Sequence, residues 1–157
     1  MRRSVLCRQL LVTAVVSVGI ICSAASGAYA YTVAVQPLNL TLTPGQTFTV
    51  DALVYGAVEA DKVESINFEL YFAGQPIVAL GWNEGDFIAQ QHPEMPWGVT
   101  TVDNALGIVS LTIMRLGPTA STGNGTGATV TFQYTGGGGA VITYYVAAAD
   151  QYGEYSD

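Results

Sequence analysis

The chain has 157 residues, half of them hydrophobic and 11% charged, which excludes a disordered chain and gives enough length for one packed core. Five Lys and Arg stand against twelve Asp and Glu, a formal net charge of −7. Nucleic acid and anionic membrane surfaces are thereby poor partners, because binding them relies on clustered cations.

The first thirty residues read as a targeting segment. Arg2, Arg3 and Arg8 precede the apolar stretch Leu10 to Ile21, and Ala28-Tyr29-Ala30 has the form of a small-residue cleavage site, so residues 1–30 are expected to be a secretory signal peptide removed after Ala30. The apolar stretch is short for a membrane span, and no other long one follows. Cys22 follows Ile20 and Ile21, whereas a lipidation cysteine usually follows a small residue. With the leader gone, Lys62 and Arg115 are the remaining cations against twelve acids (2 − 12 = −10), and both cysteines, Cys7 and Cys22, are lost. The expected product, residues 31–157, is an exported acidic domain held by core packing alone.

In chain order, residues 31–42 carry Val33, Val35, Leu38, Leu40 and Leu42 around Pro37, and Pro44-Gly45 marks a turn. Phe48, Val50, Ala52 and Val54 alternate with Thr47, Thr49 and Asp51, the pattern of a half-buried strand. Residues 55–64 are mixed and acidic and read as a connection able to hold a short turn of helix. The cleanest alternation is at Ser65–Phe72, with Ile66, Phe68, Leu70 and Phe72 on the buried side and Ser65, Asn67, Glu69 and Tyr71 on the other. Ile77–Trp82 is a further apolar run, and Asn83–Trp97 is the longest irregular stretch. A short strand is expected at Gly98–Asp103.

The runs Ile108–Leu116 and Ala128–Tyr134, separated by Pro, Ser and four Gly, read as a hairpin-like pair. In the first, Val109, Leu111 and Ile113 fit a buried face, although Ile108 and Leu116 leave the opposite assignment open. In the second, Val130, Phe132 and Tyr134 share one face. Gly136–Gly139 is a turn, and Ala140–Ala149 is the last apolar run. The fold class expected is all-β: a sandwich or barrel of about eight strands.

An ordered set of pieces resembles the cohesin modules of cellulosomal scaffold proteins. The pieces are Pro-Gly-Gln-Thr-Phe-Thr-Val at 44–50, Ile-Asn-Phe-Glu-Leu-Tyr-Phe at 66–72, Glu84-Gly85-Asp86-Phe87-Ile88, Gly107-Ile108-Val109 leading to Arg115-Leu116-Gly117, Gly123-Asn124-Gly125-Thr126 before Ala128–Phe132, and Asp150-Gln151-Tyr152-Gly153. The resemblance implies a nine-stranded jelly-roll β-sandwich that binds a dockerin, a small helical module of secreted polysaccharide-degrading enzymes, with calcium held by the dockerin and no cofactor on this chain. It also implies that Ser65 and Asn67 belong to the partner-binding face, with Glu69 and Tyr71 further along it. The chain departs from the family where Phe72-Ala73-Gly74 replaces the frequent Tyr-Asp-Pro.

Two other readings stand beside it. The four polar residues could be only the solvated side of a strand. Trp82 and Trp97, flanking the long loop, could form a carbohydrate-binding platform, since an aromatic ring covers the apolar side of a sugar; a polysaccharide is then the partner, or else both rings serve the core. Catalysis has little support: after the leader the chain offers His92 alone and no Cys to act with carboxylates. Glu84 and Asp86 could form an acid pair or bind calcium, but they lack the spacing of a known calcium loop.

Overall fold

A computed structural model describes residues 8–12, 31–58, 63–89, 96–115, 121–150 and 155–156. It contains ten strands, β1 (Arg8–Val12), β2 (Thr32–Gln36), β3 (Thr47–Ala57), β4 (Val63–Tyr71), β5 (Ile77–Glu84), β6 (Pro96–Asp103), β7 (Ile108–Arg115), β8 (Gly123–Tyr134), β9 (Ala140–Asp150) and β10 (Tyr155–Ser156), with one helical turn, α1 (Asp86–Ala89). One sheet runs β9-β4-β7-β6, with β1 and β10 added along the outer edge of β9; the other runs β2-β3-β8-β5. All pairings are antiparallel. The fold is an all-β sandwich of four strands on four.

Alternation builds both layers, because successive side chains of a strand point to opposite faces. In β4, Ile66, Phe68 and Leu70 are buried, as is Phe72 just beyond it; in β7 so are Val109, Leu111 and Ile113, which settles that strand's orientation with the apolar set inward. From the other sheet, Val50, Ala52 and Val54 of β3 and Val130, Phe132 and Tyr134 of β8 meet them. Phe132 lies at the centre, stacked on Phe48 with ring centroids 5.5 Å apart and met edge-on by Phe72 at 5.3 Å. Each such ring stabilises by roughly 1.5–3 kcal/mol through burial alone.

Three expectations change. The runs expected to pair as a hairpin, β7 and β8, lie in different sheets: β7 pairs with β4 and β6, and β8 with β3 and β5. Each carries one apolar face, and the two faces meet across the core instead of lying edge to edge. The connection after Val54 holds no helix as far as Val58, since β3 continues to Ala57 through a register irregularity at Val54/Ala57; residues 59–62 lie outside the described ones. The long irregular stretch is shorter than expected, because β5 continues to Glu84, α1 buries Phe87 and Ile88, and β6 starts at Pro96.

Arg8–Val12, inside the segment read as a leader, pairs with Ala140–Tyr144 of β9. Among the described residues no helix is long and apolar enough to cross a membrane. The rest of the leader reading, its cleavage site included, lies outside the described residues.

The turn between β6 and β7 ties the two sheets at one end. Asn104 receives the Ala79 N–H at Oδ1 (2.8 Å) and donates from Nδ2 to the Ala79 carbonyl (3.0 Å), so one amide side chain occupies the free edge of β5 as a neighbouring strand would. Asp103 Oδ1 accepts from the Ala105 and Leu106 N–H groups, both at 2.9 Å, and shapes the turn. Gly107 closes it at φ +67°, its carbonyl accepting the Phe72 N–H at 2.7 Å; a Cβ there would lie 2.3 Å from the Ala73 nitrogen. Gly107→Ala is therefore expected to lower stability by roughly 2–4 kcal/mol, seen as a lower urea midpoint at unchanged slope.

Candidate functional site

Four residues expected at a partner-binding face, Ser65, Asn67, Glu69 and Tyr71, fall together on the outward side of β4, between β9 and β7. Residues directly opposite one another in antiparallel strands share a face. Across β7 these are Met114 to Ser65, Thr112 to Asn67, Ser110 to Glu69 and Ile108 to Tyr71. One strand further, Val99 of β6 stands opposite Thr112 and Thr101 opposite Ser110. On the other flank, β9 places Ala149, Ala147, Tyr145 and Thr143 opposite the same four residues. Ala147 and Ala149 are buried while Tyr145 and Thr143 are half-buried, so the face is accessible over β4, β7 and β6 and beside Glu69 and Tyr71 on β9.

The side chains of this face bond to one another. The Thr112 hydroxyl and Asn67 Oδ1 are 3.3 Å apart, Ser110 Oγ donates to Glu69 Oε1 at 3.4 Å, and Tyr71 donates its phenol hydrogen to Glu69 Oε2. Glu69 thus takes hydroxyl hydrogen bonds on both carboxylate oxygens, with lone pairs left over. Tyr71 stays 41% exposed and Val99 51%, which adds apolar area beside the polar row. Such an array fits recognition of another protein by directional bonds around a few aromatic and apolar contacts. Ser110, Thr112, Val99 and Thr101 were not singled out from the sequence. The alternation of β7 left the side of Ser110 and Thr112 open, and only the register sets them, with Val99 and Thr101, on the face of Asn67 and Glu69.

The two tryptophans do not share a sheet. Trp82 stands on β5 opposite Val130 and packs, half-buried, against the core; Trp97 is on β6 at the register position of Met114, and its side chain lies outside the described ones. His92 and residues 90–95 lie outside the described ones as well.

Glu84 and Asp86, the candidate acid pair, serve differently. Asp86 Oδ1 accepts the Thr126 N–H at 2.7 Å, and the Gly85 N–H bonds the Gly127 carbonyl at 2.9 Å, so Asp86 pins α1 to β8. Glu84 stands opposite buried Ala128, with Oε1 buried and unpartnered, and burial pushes its carboxyl above the ordinary value. Among the described residues no group of three His, Cys, Asp or Glu could hold a metal ion.

No protein-family model matches the sequence, and no curated protein does either. Solved structures do match. A type I cohesin–dockerin complex of Clostridium thermocellum, Coh-OlpC with Doc435, superposes with a TM-score of 0.64 over 85% of this chain and 90% of the other, at 14% identity. The chain has the cohesin fold. A second complex from Clostridium thermocellum, Coh-OlpA with Doc918, matches with a TM-score of 0.60 at 15% identity, covering 82% of this chain and 92% of that one. A non-cellulosomal cohesin from the hyperthermophilic archaeon Archaeoglobus fulgidus matches with a TM-score of 0.54 at 18% identity, over 73% and 75% of the two chains. At such identity the likeness is one of fold, and in this cohesin fold the row from Ser65 to Tyr71 occupies a middle strand of one layer.

The raised Glu84 carboxyl makes a prediction. A carboxyl whose folded pKa lies above its unfolded value of about 4.3 costs stability when ionised, and the cost fades as pH falls through the folded value. Glu84→Gln should therefore raise the melting temperature at pH 7, with the gain vanishing near pH 4. An equal gain at both pH values would mean that the carboxyl's charge is not what strains this position.

Proposed function

We propose that this chain is a non-catalytic binding module of cohesin type, exported with residues 1–30 as its leader, that takes up a dockerin-like helical module on the outward face of β4, β7 and β6. The observation that carries the reading is the row Ser65, Asn67, Glu69 and Tyr71 on a central strand, with Glu69 and Asn67 held by hydroxyls of β7. Side chains already held by their neighbours lose little freedom when a partner arrives, so more of the interaction appears as affinity. Similarity to cohesins solved with dockerins supports the choice of partner. The acidic charge disfavours nucleic acid and leaves a protein partner as the reading. Calcium belongs to the partner, whose helices need it, and none is required on this chain.

The fold also occurs in a non-cellulosomal cohesin, so membership of a cellulosome is not part of the proposal.

The test is capture of proteins secreted by the source organism on the immobilised exported chain, with and without EDTA, beside the double variant Asn67→Ala, Tyr71→Ala. Capture of a calcium-loaded helical module, released by EDTA and weakened at least about tenfold by the double variant, is expected. Binding that survives the double variant would move the interface off this face. In the same preparation, N-terminal sequencing should begin at Tyr31.

A further inference from the structure

On the side of the sandwich formed by the edge strands β5 and β6, several observations coincide. The two strands end their respective sheets and approach each other there. By register, Trp82 and Glu84 of β5 stand opposite the core residues Val130 and Ala128, and Thr100 and Val102 of β6 stand opposite Leu111 and Val109, so all four occupy inward positions. Yet Val102 is 38% exposed, which shows that the layers are not sealed at this edge. Leu80, the extra residue at the register shift between Ala79 and Gly81, and Leu106 in the adjoining turn are among the most exposed large apolar side chains of the described residues, at 55% and 63%. Glu84 Oε1 and Thr100 Oγ1 are both buried there without a hydrogen-bond partner.

A buried polar oxygen left unpaired costs on the order of 1–3 kcal/mol, and two of them beside exposed apolar side chains and a half-buried indole make the composition of a small-ligand site. Both ends of the opening are braced, one by the Asn104 bonds to Ala79 and the other by Asp86 on the Thr126 N–H.

We propose that the opening between β5 and β6 is a second binding site, separate from the face of β4, that takes a neutral, hydroxyl-bearing ligand of oligosaccharide size. Ionised Glu84 only accepts hydrogen bonds, while Thr100 both donates and accepts, so hydroxyls of the ligand satisfy both. The Trp82 ring with Leu80 and Val102 offers apolar area to the C–H side of a sugar ring. A chain carrying a formal charge of −7 disfavours anionic ligands. The raised carboxyl of Glu84 agrees with a group deprived of water and awaiting a donor. The site needs Trp82 alone and not the pair with Trp97.

The test is nuclear magnetic resonance titration of the exported chain with cellotetraose and, separately, xylotetraose. Saturable shifts are expected at the Trp82 indole N–H and at the amides of Glu84, Thr100 and Val102 with at least one of them. Glu84→Gln, which exchanges a charged acceptor for a weaker neutral one, and the near-isosteric Thr100→Val, which removes a hydroxyl, each with an otherwise unchanged spectrum, should weaken binding about threefold or more, while Asn67→Ala, Tyr71→Ala leaves it unchanged. No shift at these positions with either sugar, or shifts indifferent to both substitutions, would overturn the proposal. So would cross-relaxation from His92 or Met95 to the Trp82 ring in the free protein, since the chain's own loop would then fill the opening.

Discussion

The constraint on which the structure depends is that two four-stranded sheets bury one face each in a single interior with no disulfide among the described residues to help. Phe132 sits where the layers meet, stacked on Phe48 of its own sheet and met by Phe72 at the end of β4. Because the rows Ile66-Phe68-Leu70, Val109-Leu111-Ile113 and Val130-Phe132-Tyr134 must all point inward, the intervening residues have no choice of side. A slip of one residue in β4 would turn Asn67 and Glu69 into the core and destroy both the interior and the outer row. The candidate binding face and the core are thus two consequences of one register.

The two faces of the proposed chemistry differ in how they are satisfied. On the outside of β4, β7 and β6, polar groups are matched within the sheet: Ser110 and Tyr71 on Glu69, Thr112 on Asn67. That arrangement stiffens the surface and leaves lone pairs and an exposed phenol ring for a partner. At the opening between β5 and β6 the situation is reversed, with Glu84 and Thr100 each leaving an oxygen buried and unmatched. A sandwich closes its edges poorly, because its outermost strands have neighbours on one side only. Asn104 meets that need at Ala79 by presenting an amide in place of a strand.

Similarity to cohesins at 14–18% identity, with comparable length covered, shows how little of the sequence the fold requires. In this chain the layers rest on the order of half-buried strands and on turns such as those with Gly45 and Gly107 at positive φ. Side chains on the outer faces are free of that requirement, so recognition can diverge while the layers stay the same.

The sequence by itself determined the all-β class, the inward rows of β3, β4 and β8, the turns at Pro44-Gly45 and Gly136–Gly139, and the outward set Ser65, Asn67, Glu69 and Tyr71. These follow from period-two alternation and from glycine, which are local properties of the chain. It could not determine which strands are neighbours. The β7 and β8 runs read as a hairpin because local pattern carries no information on whether two half-buried strands lie side by side or face to face, and the tertiary structure put them in opposite layers. The same step placed Ser110 and Thr112 beside Glu69 and Asn67, put Trp82 and Trp97 on strands of different sheets, and brought the strands of Glu84 and Thr100 to one edge. Those juxtapositions join residues of different strands, and they arise only when the apolar faces of all the strands are buried together.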